Sequence, residues 1–257
     1  MKLVNREGFR EFNIRYRWWE GREDGISAAV RLRNEEEWVE PAIRSILPWC
    51  DEVVAALQCC TDRTEEVLRS IDDPKIRIVH YPFLSHPNGP GHDQHPDDSV
   101  YDRSYFYNWT LAQTRFSHAL KWDGDMVAFD WLGIDLKLAS ARSDIVRFNG
   151  IDIVGPGLNL GVRHHTAMDP RLFLVTPETF YTQGARCEQF SARRLPSEAL
   201  DMPAYLHFKW SKSRASATKS WPGGWESLEH FQKIMERSVP VAPYNGPLPA
   251  VLAGRFA

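Results

Sequence analysis

The sequence predicts a single α/β domain with a mostly parallel central sheet flanked by helices. Strand and helix periods alternate through the first third of the chain, the order that right-handed crossovers require of parallel strands. One candidate strand, Val53-Val54-Ala55-Ala56-Leu57, is apolar on both faces, as a strand covered from both sides must be. A chain of 257 residues, 43% hydrophobic and 25% charged, can bury a sizeable core as one unit spanning residues 1–257.

Residues 26–32 put Ile26, Ala28, Val30 and Leu32 on one face by period-two alternation and run into the polar loop Arg33-Asn34-Glu35. From about Glu36, the positions Trp38, Val39, Ala42, Ile43, Ile46 and Leu47 recur at helical spacing. Pro41 is tolerated in the first turn and Pro48 marks the stop. Residues 51–57 read as a buried strand, Asp62 with Glu65 resembles a capping box opening a helix through Leu68, and residues 76–79 form the next strand. Residues 82–99, rich in Pro, Gly, His and Asp, have no period and form a loop. A helix then carries Tyr105, Trp109, Ala112 and Phe116 as a core-packing stripe, and Ala119-Leu120-Lys121-Trp122 leads into Asp123-Gly124-Asp125-Met126. In the second half, residues 144–153 and 172–175 are strand-like, with Gly155-Pro156-Gly157 as a loop between them. A helix carrying Trp225, Leu228, Phe231 and Met235 follows Gly223-Gly224, and the Pro-rich residues 240–249 cannot continue it.

A net charge of -3 gives no basic field, so the chain is not expected to bind a nucleic acid polymer. No apolar run approaches the roughly 20 residues that cross a bilayer, and the first residues lack a secretory apolar region. The expectation is a cytoplasmic protein, with peripheral contact at the inner face of a membrane left open. The four cysteines, Cys50, Cys59, Cys60 and Cys187, are spaced for reduced thiols rather than a disulfide scaffold. His92 with His95 and His164-His165 lack the Cys pairs of a structural zinc site.

The chemistry-bearing pattern is Asp123-Gly124-Asp125. Two carboxylates in a tight turn just beyond a buried strand supply hard oxygen ligands for a divalent cation, and the small middle residue lets both reach one side. A cation held there would neutralise the charge of a departing diphosphate.

The order and spacing of Ile26-Ser27-Ala28-Ala29-Val30-Arg31-Leu32-Arg33-Asn34-Glu35, Ala42-Ile43-Arg44-Ser45-Ile46, Asp51-Glu52-Val53-Val54 and Thr61-Asp62-Arg63-Thr64 resemble the opening of family 2 glycosyltransferases, enzymes of the A-type fold. Tyr107-Asn108-Trp109-Thr110-Leu111 followed by Lys121-Trp122-Asp123-Gly124-Asp125-Met126 is similar to the stretch that precedes and contains that family's Asp-x-Asp motif. The resemblance runs over residues 26–219 and is strongest through Met126.

The resemblance implies an inverting, metal-dependent glycosyltransferase. It would use Mn2+ or Mg2+ to move a sugar from a nucleotide-diphosphate sugar to a saccharide or glycolipid acceptor, in bacterial surface polysaccharide synthesis. About residues 26–130 would bind the nucleotide sugar and about residues 131–257 the acceptor. Arg31, Asn34 and Glu35 would hold the nucleoside, Arg33 would serve the phosphates, and Asp62 joins the nucleotide-binding set. Asp123 would lie near ribose and metal, Asp125 would ligate the metal, and His207 would be a third ligand.

Gln58 stands near the place where family members carry a base-reading Asp, and its amide can donate and accept. Pro170-Arg171-Leu172-Phe173 and Cys187-Glu188 resemble the family's Arg-Leu-Phe and His-Glu elements, with Cys187 replacing the usual His. An inverting transfer needs a carboxylate to take the acceptor's proton, and Glu188 is the first candidate, Asp169 the second. Lys209, Lys212, Arg214 and Lys219 could neutralise the departing diphosphate, and Trp210, Trp221 and Trp225 offer stacking faces for acceptor sugars. Two other readings stay open: a nucleotidyltransferase, although no Gly-rich loop with a Lys follows the first strand, and a noncatalytic carbohydrate or nucleotide-binding protein, which the Leu57 and Cys187 departures allow.

Overall fold

The computed structural model describes residues 3–89, 91–154, 158–164, 168–192, 195–212 and 242–256. The first half alternates as its periods require: β1 (Glu23–Leu32), α1 (Val39–Arg44), β2 (Glu52–Gln58), α2 (Thr64–Ser70), β3 (Ile76–Tyr81), α3 (Arg103–Gln113) and β4 (Phe116–Asp123). Short strands dominate thereafter: β5 (Met126–Ala128), α4 (Leu132–Ser140), β6 (Ile145–Phe148), β7 (Ile151–Val154), β8 (Asn159–His164), β9 (Asp169–Leu174), β10 (Phe180–Gln183), β11 (Glu188–Ser191), β12 (Ser197–Ala199), β13 (Tyr205–Trp210) and β14 (Ala242–Pro243).

β1 is central because it can be buried on both faces. Ala28, Val30 and Leu32 join one core and Ala29 the other. It pairs in parallel with β2 and with β4, the latter from Ile26↔His118 to Arg31↔Asp123. The seven-stranded sheet runs β12-β6-β9-β4-β1-β2-β3, and β9 alone runs against its neighbours β4 and β6. A five-stranded sheet, β14-β8-β7-β13-β5, stands beside it, and β10 and β11 form a separate hairpin.

Three of the boundaries that differ from those the periodicity predicts bear on the architecture. Phe116 opens β4 instead of completing the helical stripe, because the extended Thr114 (ψ 153) ends α3 and Phe116 pairs with Glu23. The continuous strand expected over residues 144–153 breaks at Asn149-Gly150, where a Cβ on Gly150 would enter the Tyr205 ring, so β6 stays in the large sheet while β7 joins the second. α1 covers less than the apolar period implied, and the residues on either side of it close in single turns such as Val39 N to Glu35 O and Leu47 N to Ile43 O.

No helix among the described residues is long and apolar enough to cross a membrane. All four cysteines are free. The expected loop at Gly155-Pro156-Gly157, the residues Arg214, Lys219, Trp221 and Trp225 and the helix expected through Met235 lie outside the described residues, as do His165 and Pro240.

Candidate functional site

The carboxyl ends of β1 and β4 lie side by side in parallel register, which brings Asp123 next to Arg31 and leaves the turn Gly124-Asp125 facing the loop after β1. Glycine is required at position 124 by close approach: an added Cβ would enter the Leu32 side chain and come within 2.9 Å of Glu35 Cγ. β5 then pairs with β13 through His207↔Met126, and Phe208 N donates to Asp125 O at 2.8 Å. Glu35, Asp125, His207 and Lys212 therefore meet although up to 177 residues separate them.

The two aspartates of the turn are held differently. Asp123 accepts from Arg31 Nη2 at 3.3 Å through Oδ1 and from Arg171 Nη1 at 3.2 Å through Oδ2. Both arginine side chains are 4% exposed, and the Arg31 guanidinium lies 3.9 Å from the Tyr107 ring centroid. Arg171 also donates to Asp169 Oδ2 at 3.2 Å and Tyr205 Oη at 3.1 Å. Burial alone would raise the Asp123 carboxyl, but Arg171, Arg31 and Lys121 outweigh it and hold the group well below the usual carboxylate range.

Asp125 instead faces Lys212 Nζ at 2.8 Å and His207 Nε2 at 3.3 Å, and Lys212 Nζ also donates to Glu35 Oε1 at 2.7 Å. His207 Nδ1 lies 2.9 Å from Asp152 Oδ1. Burial would lower the His207 pKa, but Asp125 and Asp152 raise it to about 9, so the ring is an imidazolium at neutral pH. Burial raises the Glu35 carboxyl, with Lys212 opposing and Asp125 and Asp123 adding to the rise.

A third group lies beyond Arg31. Lys121 Nζ is 3.5 Å from Glu188 Oε1 and 5.5 Å and 5.7 Å from the ring centroids of Tyr107 and Tyr181. Glu188 Oε2 and the Tyr181 hydroxyl are buried with no hydrogen-bond partner among the described residues. Burial would raise the Glu188 pKa, but Lys121, Arg103 and Arg31 lower it, so this carboxylate is ionised with one oxygen unpartnered among the described residues.

The remaining expected residues divide. Arg31 lies inside β1 rather than on the following loop, and clamps Asp123. Asn34 adopts left-handed backbone (φ 55), and its Oδ1 accepts from Thr61 N at 2.8 Å. Asp62 accepts from Glu36 N at 3.1 Å and from the Thr64 N–H at 3.0 Å and hydroxyl at 2.6 Å. These bonds, rather than the expected Asp62–Glu65 capping box, join the β1 loop to the start of α2. Gln58 is buried, and its Nε2 donates to Ser85 Oγ at 3.0 Å across the loop of residues 82–99. Arg33 is half-buried, with burial lowering its pKa and Arg103 adding to that effect.

Arg171, Lys121 and Tyr107, which the sequence placed in motifs without a role of their own, belong to the site, as does Asp152, which no motif included. Asp152 between Ile151 and Ile153 is a lone charge in an apolar strand, a readable signal because a buried charge requires a partner.

The three expected metal ligands do not converge on one point: Asp123 turns to its guanidinium pair, and no group of three His, Cys, Asp or Glu side chains among the described residues is arranged to hold an ion. A position for a cation is nonetheless marked. Glu35 and Asp125 place oxygens 2.7 Å and 2.8 Å from the Lys212 ammonium. One or two carboxylates with substrate phosphates completing the shell is the usual arrangement for Mg2+, and oxygen donors also suit Mn2+. The donor set fits such an ion.

No protein-family model matches the sequence, and no curated protein does. Among solved structures, the chain is similar to S. aureus TarS residues 1–349 in complex with UDP-GlcNAc, at 13% identity over 84% of this chain and 71% of that chain, with a TM-score of 0.47. Against the longer S. aureus TarS structure the TM-score is 0.49 at 13% identity, covering 84% of this chain and 43% of that one. Glucosyl-3-phosphoglycerate synthase from Mycobacterium tuberculosis, with Mn2+, UDP-glucose and phosphoglyceric acid, is similar at 19% identity over 52% of this chain and 45% of that chain, with a TM-score of 0.37. The chain thus spans under half the length of the last two.

Proposed function

We propose that the chain is an inverting, metal-dependent glycosyltransferase that moves a sugar from a nucleotide-diphosphate sugar to a saccharide or glycolipid acceptor, in bacterial surface polysaccharide synthesis. The observation that carries the reading is the meeting of Asp125, Glu35, His207 and Lys212 at the carboxyl end of parallel strands, where α/β sheets bind ligands. Asp125 and Glu35 would hold a divalent Mn2+ or Mg2+ ion, with His207 and Asp123 beside it. When bound, the ion neutralises the negative charge on the diphosphate leaving group.

The chain's own residues do the rest. Arg31 and Arg171 fix Asp123 in the charged form and in one orientation, so that one carboxylate edge of the site is preorganised. Lys212 and the more distant Arg33 supply positive charge for the phosphates. Glu188 accepts the acceptor hydroxyl's proton through Oε2 as the sugar carbon is attacked from its opposite face. Its Oε2 is buried without a partner among the described residues, which marks a place for a ligand hydroxyl, whereas the Asp169 side chain is 36% exposed and its Oδ2 is taken by Arg171.

The test is donor turnover with a panel of nucleotide-diphosphate sugars and Mn2+ or Mg2+. Nucleoside diphosphate is expected as product, with Asp125→Asn lowering the rate about a thousandfold and Glu188→Gln about a hundredfold. Pyrophosphate as product, or no turnover of any donor, overturns the reading.

A further inference from the structure

Lys212 holds the same carboxylate oxygens that a divalent ion would need. Its Nζ lies 2.7 Å from Glu35 Oε1 and 2.8 Å from Asp125 Oδ2, and its side chain is 9% exposed. An ammonium and a metal ion cannot both occupy a gap of that size, because each requires direct contact with the oxygens and the two would repel across it. The rest of the setting is built for exchange. Glu35 Oε2 is buried with no hydrogen-bond partner among the described residues, so an oxygen stands ready beside the one that Lys212 uses. Lys212 follows directly on β13 and its neighbour Ser211, whose hydroxyl is anchored to Ile153 O at 3.1 Å, so the base of the lysine is fixed while its four-carbon stem can swing.

We infer that Lys212 is a resident counter-ion that a divalent cation displaces, and that the freed ammonium then becomes available to the diphosphate. This rests on the glycosyltransferase reading of the site. The exchange makes no covalent bond. It trades one cation for another at Glu35 and Asp125, and loading of the ion and of the diphosphate favour each other because the released lysine needs a new anionic partner. The ion alone should therefore bind weakly, and binding should tighten when a nucleoside diphosphate is present.

The decisive measurement is Mn2+ binding followed by loss of the free-ion electron paramagnetic resonance signal, without nucleotide. Lys212→Met is expected to bind Mn2+ at least about tenfold more tightly than the wild type, because the competing ammonium is gone, and Asp125→Asn is expected to bind none. As a check on unaltered protein, Lys212 should react several-fold faster with an amine-directed acylating reagent, read by peptide mass spectrometry, when Mn2+ is saturating. Equal or weaker Mn2+ binding by folded Lys212→Met, while Asp125→Asn abolishes it, overturns the displacement and leaves the metal site standing. If Lys212→Met does not fold, unchanged acylation of Lys212 in wild-type protein with Mn2+ bound overturns it instead. Mn2+ binding unaffected by Asp125→Asn overturns both this inference and the metal site on which it rests.

Discussion

One turn carries two aspartates, and the cations that hold them differ in kind. Asp123 sits between two buried guanidinium groups, whereas Asp125 faces an ammonium on a flexible stem and an imidazolium. A guanidinium is planar, permanently charged and weakly hydrated, and once held over a ring, as Arg31 is over Tyr107, it is a fixed part of the frame. An ammonium is compact and strongly hydrated and exchanges readily for another cation. The difference teaches that adjacent carboxylates of one motif can divide the work: one is structural and permanently neutralised, the other exchangeable.

The largest expected effect breaks the permanent side. Arg171→Met removes the partner of Asp123, Asp169 and Tyr205 and should destabilise the fold by about 3 kcal/mol in urea unfolding, at the low end for a broken buried pair because the Asp123 side chain is 33% exposed. Saturating Mn2+ should not restore that loss, whereas it should restore the stability lost in Lys212→Met, since an ion can replace the ammonium but not the guanidinium. Equal rescue of both variants would erase the contrast.

Gly124→Ala tests the contact that joins the two sides. A methyl group there meets Leu32 and Glu35, and about 2 kcal/mol of stability should be lost in the same assay; a loss under about 0.5 kcal/mol would mean that the turn relaxes freely. The smallest effect sharpens the exchangeable side. Asp152→Asn removes one of the carboxylates that keep the His207 ring protonated beside Asp125, so Mn2+ binding should tighten about threefold with little change in stability, while a change in stability without one in binding would assign Asp152 to the frame.

Much of the first half is legible in its residue pattern. The two-faced apolar run of β2 requires burial from both sides, which parallel strands with crossover helices supply, and the alternation in β1 marks one face that must be buried. Asp123-Gly124-Asp125 is visible as a carboxylate turn after a strand because proximity within three residues is a property of the chain. The second half is harder to read. Strands such as β7, β12 and β14 are two to four residues long, too short for a period to register, and Asn149-Gly150 splits what reads as one strand because of a ring that arrives from residue 205.

The sequence by itself determined the alternation of strands and helices in the first half, the buried alternation of β1 and the acidic turn, since each is written in local spacing and in which residues water rejects. Only the tertiary structure decided that Asn34 and Asp62 tie loops together, that Gln58 faces Ser85, and that Arg171 rather than a neighbour in sequence neutralises Asp123. Charge pairing acts over a few ångströms in space, and the partners here are separated by tens to more than a hundred residues along the chain.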